Sequence, residues 1–405
     1  MRIATIIFLV LSLIATDINS QEGKIQLHDI KTSEEIENEL ESGEIRSSSA
    51  AYYYTYIGET EKALETYEIP VEWGLDTMSE NEREWFSEYK PINAKEYLSQ
   101  RIEKEQVVII SEAHHKPQHR VFTTDMLEVF YEKGYRYLGL EALTPNFVDP
   151  RKYLMDTMIN ERGYALNSPL SGFYTREPQM GNMVRKAISL GMTVFGYEYT
   201  GGELDRDLGQ AKKVAEYMAD HPGGKILIHC GWYHAIESNY PKYEGANYMA
   251  YHLKQITGID PLTIYQDALS EKRELEESPY YRELDAVEVS VLIDGKGDVF
   301  NGKTGTDHFD ILVYHPRTSY KKNRPDWLYK ESRKEVLEEY KGREEDYPII
   351  VEAYKLEEEN GVPLDRVEYK KTRERKPLLL ELGEYRIRIL DKHGSRLKEY
   401  ELKVE

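Results

Sequence analysis

The sequence predicts an α/β protein: a mostly parallel sheet with flanking helices, an N-terminal helical cap and a small C-terminal β-sandwich-like appendage. Three observations predict it. From Val107 onward, short apolar runs alternate with single helix-like segments, the pattern of βαβ units and hence of parallel strands. The helix-like segments stop at Gly134, at Gly191 and at Pro222, Gly223, Gly224, as helices with a left-handed terminal residue do. From Ile349 to the end, several runs alternate polar and apolar residues, which suits half-exposed antiparallel strands.

Bulk properties narrow the function. A chain of 405 residues, 40% of them hydrophobic, can bury one large domain with small additions. The formal net charge is -20 and no basic run is long enough to follow a phosphate backbone. Nucleic acid and anionic membrane surfaces are therefore poor partners. Residues 1–20 read as a signal peptide: Met1 and Arg2, the apolar run Ile3 to Ala15, then Thr16 to Ser20 with cleavage near Ser20. That run is short for a bilayer span, and the alternative is an uncleaved N-terminal anchor. The domain is expected to be exported, periplasmic or extracellular. The single cysteine, Cys230, lies far from the N-terminus, so no lipid anchor and no internal disulfide are expected. No other apolar run reaches membrane length, so no transmembrane span is expected after signal removal.

Residues 21–100 read as the helical cap. Its clearest piece, SSSAAYYYTYIGETEKALETYE, breaks at Gly58 and resembles one helical hairpin of the tetratricopeptide type; with no second copy, a cap packed on the main domain is the simpler reading. Residues 101–330 form the core. The strand Val107 to Ile110 is followed by Ser111, Glu112, Ala113, His114, His115, then a helix from Arg120 to Lys133. The strand Tyr137 to Leu140 ends at Glu141. An Asn-, Pro- and Gly-rich insertion spans Thr144 to Pro178. The helix Gln179 to Leu190 leads to the strand Thr193 to Tyr197, with Glu198 at its exit. A charged helix from Glu203 to Ala219 precedes the strand Lys225 to His229, after which come Cys230, Gly231, Trp232, Tyr233 and His234. Next are the helix Tyr248 to Thr257, the strand Leu262 to Tyr265 with Gln266 and Asp267 beyond it, and the strands Ala286 to Ile293 and Phe309 to Tyr314, the last bracketed by Asp310 and His315. After Arg317 a charged helical stretch is expected to about Glu345, then strands at Ile349 to Tyr354, Arg366 to Lys371, Lys376 to Glu381, Tyr385 to Asp391 and Arg396 to Val404, in a small β domain of residues 346–405. That domain carries no ionisable cluster and suits support or binding.

Parallel crossovers put all strand C-termini on one edge, so Glu112, His114, His115, Glu141, Glu198, His229 and His234 converge on one rim. Each has a duller alternative. Glu112 could cap a helix, the paired histidines could be exposed loop residues, and His229 could simply finish its strand. A carboxylate directly after a short apolar strand is partly buried and needs a partner; Arg120, Arg185 and Arg206 are the candidates. Three acids and at least two imidazoles at strand exits suit either a divalent metal with an open water position or a metal-free His and Glu pair in general acid–base work.

The run SEAHH after a strand, then LGLEAL, FGYE and HCGWYHA, resembles the strand-end motifs of the erythromycin esterase-like, ChaN-like haem-uptake and Tiki/TraB-type superfamily. Gly231 to His234 fits its Gly-x-x-His motif, while Ser111 stands in place of the first glycine of Gly-Glu-x-His. The resemblance covers roughly Val107 to His315. It implies an α/β core with a polar rim site formed by Glu112, His114, Glu141, Glu198 and His234, and a range of activities that includes esterases, metal-dependent peptidases and haem binders.

The resulting expectation is an exported hydrolase of ester or amide bonds in a small-molecule or peptide substrate, with or without a divalent metal. His114 or His234 activates water; Glu112 and Glu141 orient it, or Glu112, His114 and His234 hold the metal; Glu198 supports the second imidazole. Arg120, Arg185 and Arg206 bind an anionic group of the substrate or brace the carboxylates. The rival readings are a non-catalytic protein binding haem or another small ligand at the same rim, and a surface interaction protein relying on the cap and the β tail.

Overall fold

The computed structural model describes residues 30–67, 77–143, 156–240, 246–273, 277–302, 308–338 and 340–405. The expected signal peptide, residues 1–20, and residues 144–155 of the Asn-, Pro- and Gly-rich insertion lie outside them. The described residues open with helices α1 (Ser33–Glu41), α2 (Ser47–Tyr56), α3 (Thr60–Thr66) and α4 (Glu80–Phe86). Gly58 breaks α2 from α3 at φ +76°, and a Cβ there would lie 2.7 Å from the Arg366 carbonyl oxygen. Beyond α4 the cap reading needs correction. Lys90–Asn93 is a strand, β1, that pairs with the main sheet.

The core then runs α5 (Ala94–Arg101), β2 (Val107–Glu112), α6 (Pro117–Glu132), β3 (Tyr135–Leu140), α7 (Ile159–Arg162), α8 (Pro178–Ser189), β4 (Thr193–Gly196), α9 (Arg206–Asp220), β5 (Lys225–Gly231), α10 (Met249–Thr257), β6 (Leu262–Leu269), α11 (Pro279–Arg282), β7 (Ser290–Ile293) and β8 (Ile311–Tyr314). Pro117 starts α6 where its missing N–H costs nothing. Eight strands lie in the order β1-β7-β8-β6-β2-β5-β3-β4. β4, β3, β5, β2, β6 and β8 run parallel, and β7 is antiparallel to both of its neighbours. From β2 the chain moves outward to β3 and β4, then returns to insert β5 between β2 and β3. Such a reversal opens a crevice at the strand C-termini.

The two faces of the sheet bury separate cores because residues alternate across a strand. Val108 and Ile110 pack with Leu138, Leu227, Met126, Phe130, Met183 and Val184 under α6 and α8. Val107 and Ile109 pack with Ile226, Ile228, Val214, Met218 and Leu253 under α9 and α10. The result is a three-layer α/β/α core.

The C-terminal part contains β9 (Tyr320–Lys321), β10 (Arg324–Pro325), β11 (Arg333–Val336), β12 (Ile349–Lys355), β13 (Asp365–Tyr369), β14 (Leu378–Glu381), β15 (Gly383–Leu390) and β16 (Arg396–Val404). All five expected strands are present, in a four-stranded antiparallel sheet β13-β12-β15-β16 and a two-stranded sheet β11-β14. The charged helix expected from Arg317 to Glu345 is absent among the described residues. Its KEV segment instead pairs with Leu378 to Leu380 and buries β14 against the four-stranded sheet, a case of strand pairing overriding local propensity.

These strands are not an exposed appendage. Ile350 and Leu390 share a core with Ile36, Ala50, Tyr54, Ile57 and Ala63 of the N-terminal helices. The Ser33 N–H donates to Glu368 at 2.7 Å, and Arg366 Nη1 donates to the Tyr56 carbonyl at 2.9 Å. On the core side, Arg185 of α8 donates from Nε to Glu358 at 2.8 and 3.0 Å. The β domain thus holds both the cap and helix α8 of the core. No helix among the described residues is long and apolar enough to cross a membrane.

Candidate active site

The site follows from register. Glu112, the last residue of β2, pairs with Gly231, the last of β5. Leu140, the last of β3, pairs with His229 of β5 and Gly196 of β4. The residues that leave these ends therefore meet at one edge. Glu112 continues the Val108 and Ile110 face of β2, toward α6 and α8, and its partners come from there.

Arg120 of α6 donates from Nε to Glu112 Oε2 at 2.8 Å and from Nη2 to Oε1 at 2.7 Å. Its Nη1 donates to Glu177 Oε2 at 3.0 Å, and Glu177 also caps α8 by accepting the Met180 N–H at 2.9 Å. The Arg120 and Glu112 side chains are 1% and 0% exposed, so this bidentate pair is sealed from solvent. Burial alone would raise the Glu112 pKa; Arg120, then His229 and the bonds from His114 and Arg120, reverse that and hold it well below the usual carboxylate range. His114 Nδ1 lies 2.7 Å from Glu112 Oε1, and His229 Nε2 lies 3.4 Å from Oε2.

A second group surrounds Arg206, the first residue of α9. Its Nε donates to Glu198 Oε1 at 2.9 Å, and its Nη2 donates to Glu198 Oε2 at 2.5 Å and to Glu141 Oε1 at 2.6 Å. Gln210 adds a 3.1 Å bond to Glu198. Glu141 Oε2 accepts the Gly231 N–H at 2.5 Å. His234 Nδ1 lies 2.5 Å from Asp207 Oδ1, which also accepts the Met249 N–H. His234 Nε2 lies 2.9 Å from Arg206 Nη1 and 3.5 Å from Glu141 Oε1. Burial would raise the Glu141 pKa, but His234, His114 and Arg206 bring it down to about 2. Burial disfavours the charged form of His234, yet Glu141 and Asp207 outweigh it and the pKa is raised. Arg206 is 48% exposed along its side chain, so this second group opens to solvent.

Gly231 joins the two groups. A Cβ on it would lie 2.5 Å from His114 Nε2 and 3.4 Å from Glu141 Oε2. The His114 ring can therefore lie over the strand end only because no side chain is there.

The structure brings together the five expected rim residues Glu112, His114, Glu141, Glu198 and His234. Arg120 and Arg206 brace their carboxylates. Arg185 is not with them; its guanidinium is held by Glu358 and the Val362 carbonyl, between β12 and β13, and by Asn182 of its own helix, and the expectation that it binds substrate is corrected. His115 stacks flat on Tyr67 at 3.9 Å, and His119 faces His315 at 4.8 Å. Asp267 pairs with Lys116 at 2.7 Å, and Gln266 donates to the Ser111 carbonyl at 2.8 Å. Sequence reasoning missed Asp207, Glu177 and the aromatic residues around His114. The only trace of Asp207 was its place one residue after Arg206.

Among the described residues no three His, Cys, Asp or Glu side chains are set out as metal ligands. Glu112, His114 and His234 do not fit a divalent cation. Both Glu112 oxygens are taken by the Arg120 guanidinium, which already supplies the positive charge there.

The sequence matches no family profile and no curated protein. Among solved structures, similar chains include RRSP, a MARTX toxin effector domain from Vibrio vulnificus, at 17% identity over 44% of this chain and 36% of that one, with TM-score 0.31. The type III effector HopBA1 is similar at 12% identity over 56% of this chain and 96% of that one, with TM-score 0.33. ChaN of Campylobacter jejuni, described with cofacial haem binding, is similar at 10% identity over 54% and 91%, with TM-score 0.33. The chain thus spans about a third of the toxin domain's length. Likenesses of this size say nothing about chemistry.

Proposed function

We propose that this chain is an exported hydrolase of ester or amide bonds that works by metal-free acid–base chemistry. One observation carries the reading: two imidazoles stand at the same rim, each with Nδ1 on a buried carboxylate, Glu112 for His114 and Asp207 for His234. A carboxylate on Nδ1 fixes the tautomer; it leaves Nε2 of His114 for the substrate, while Nε2 of His234 accepts from Arg206 Nη1 at 2.9 Å. His114 takes a proton from the attacking water, and Glu112 steadies the imidazolium that forms. His234, whose charged form is favoured by Glu141 and Asp207, gives a proton from Nε2 to the departing alkoxide or amine once Arg206 Nη1, which faces that nitrogen at 2.9 Å, turns to the substrate oxygen. Arg206, half exposed and held by Glu141 and Glu198, faces the negative charge that develops on the carbonyl oxygen.

The test is hydrolysis of a panel of uncharged esters and amides. Turnover is expected in the presence of EDTA, with losses of roughly 100- to 10,000-fold in H114A and in H234A. No turnover together with a Soret band on haem titration would replace this reading with ligand binding.

A further inference from the structure

Trp232 sits directly after the glycine that joins the two groups, and its backbone is at φ +32°. A bulky residue rarely adopts that region, and such outliers persist where surrounding structure enforces them. The restraints are visible. The Gly231 N–H is fixed on Glu141, and the Ile236 N–H donates to the Tyr233 carbonyl at 2.9 Å to close the turn.

The strained backbone aims the indole at the site. Its ring meets His114 edge-on at 4.7 Å and 78°. It lies near-parallel to Tyr67 at 5.7 Å and 26°. Tyr174 stacks on the His114 ring at 3.8 Å. Tyr52 approaches the same imidazole edge-on at 6.1 Å and Tyr174 at 5.4 Å. Three aromatic residues from separate parts of the chain thus surround one imidazole, Tyr67 backs the indole while stacking on His115, and all four are half-buried rather than sealed.

The charges nearby select among ligands. Glu112, Glu141, Glu198 and Asp207 outnumber Arg120 and Arg206, and both arginines are engaged by carboxylates. A second anion would meet repulsion. We infer that Trp232, with Tyr67, Tyr52 and Tyr174, is the specificity-determining wall for an uncharged, flat, apolar substituent, such as an aryl group, beside the scissile bond. This rests on the hydrolase reading for the reaction, but the binding step stands apart from it.

The experiment uses the full chain and two readouts. The first is the kcat/KM ratio of a phenyl-bearing ester to a methyl-bearing ester of the same acyl class. The second is calorimetric binding of an uncleavable aryl methyl ketone against an aliphatic ketone of equal carbon number. Wild type is expected to prefer the aryl member in both, and W232A to lose about ten- to a hundred-fold of that preference while W232F retains most of it. Alanine keeps the Cβ and with it the left-handed backbone strain and removes only the indole's packing; W232F and Y67A serve as folded controls, and Y67A is expected to fall between wild type and W232A. Hydrolysis with equal preference for both members, unchanged in W232A, overturns the wall. An aryl preference in binding that W232A removes, with no ester or amide turned over, supports the wall and overturns the hydrolase reading.

Discussion

His114 Nδ1 lies 2.7 Å from Oε1 of Glu112, two residues earlier and at the end of β2. The same oxygen accepts from Arg120 Nη2. The imidazole is therefore held by a carboxylate that is itself clamped, so its orientation is fixed by the fold. Removing the clamp leaves a buried carboxylate uncompensated. R120A is expected to lose about 3–5 kcal/mol of stability, measured by urea unfolding. A change under about 1 kcal/mol would mean that the pair is solvated.

Gly231 predicts a steric effect without an electrostatic one. G231A places a methyl group 2.5 Å from His114 Nε2, and the imidazole must move. The expected cost is about 1–3 kcal/mol in stability with turnover reduced more than a hundredfold. Activity close to wild type in folded G231A would remove His114 from the chemistry.

Asp207 shares with Glu141 in holding the proton on His234. Burial lowers the His234 pKa, while Glu141 and Asp207 raise it by more. Taking away the Asp207 charge lowers it, so in D207N the alkaline limb of the pH–rate profile should move to lower pH. Turnover at neutral pH should fall. An unmoved alkaline limb would assign the acid to another group.

Stability should fall in mild acid. Burial pushes His229 down to about 4 and His315 down to about 3. Both are neutral in the folded protein below the pH at which an unfolded histidine, near 6.5, takes a proton. The unfolded state then binds more protons, so stability is present above about 6.5 and is lost as pH falls toward 4 and then 3. Each imidazole contributes a slope of up to about 1.4 kcal/mol per pH unit. His234 works in the opposite sense, since its raised pKa favours the folded state below 6.5 and that contribution is lost at higher pH. Thermal unfolding from pH 7 to 4 in wild type and H315Q checks the balance; a slope that H315Q leaves unaltered would contradict it.

The strand-end rule located Glu112, Glu141, Glu198 and His234 because parallel strands share one edge, and residue order alone fixes which side chains reach it. The core was legible for the same reason: apolar runs and glycine stops are local signals. Asp207, Glu177, Tyr52 and Tyr174 were not legible. Their roles depend on how α9, α8, the cap and the insertion dock on the sheet, which no local spacing encodes. Arg185 looked like a site residue because a buried carboxylate needs a cation; the carboxylate it serves, Glu358, lies 173 residues away. The KEV segment of β11 carries helical propensity but pairs with β14, since the β domain supplies apolar contact that a lone exposed helix would lack.

The most direct test of the two-imidazole site is a double-mutant cycle on H114A and H234A, read as kcat/KM for an ester that wild type turns over. Each single variant is expected to lose roughly 100- to 10,000-fold, and the double variant no more than about tenfold beyond the weaker single, because groups acting as one unit are non-additive. Fully additive losses, or single variants within about tenfold of wild type, would contradict it.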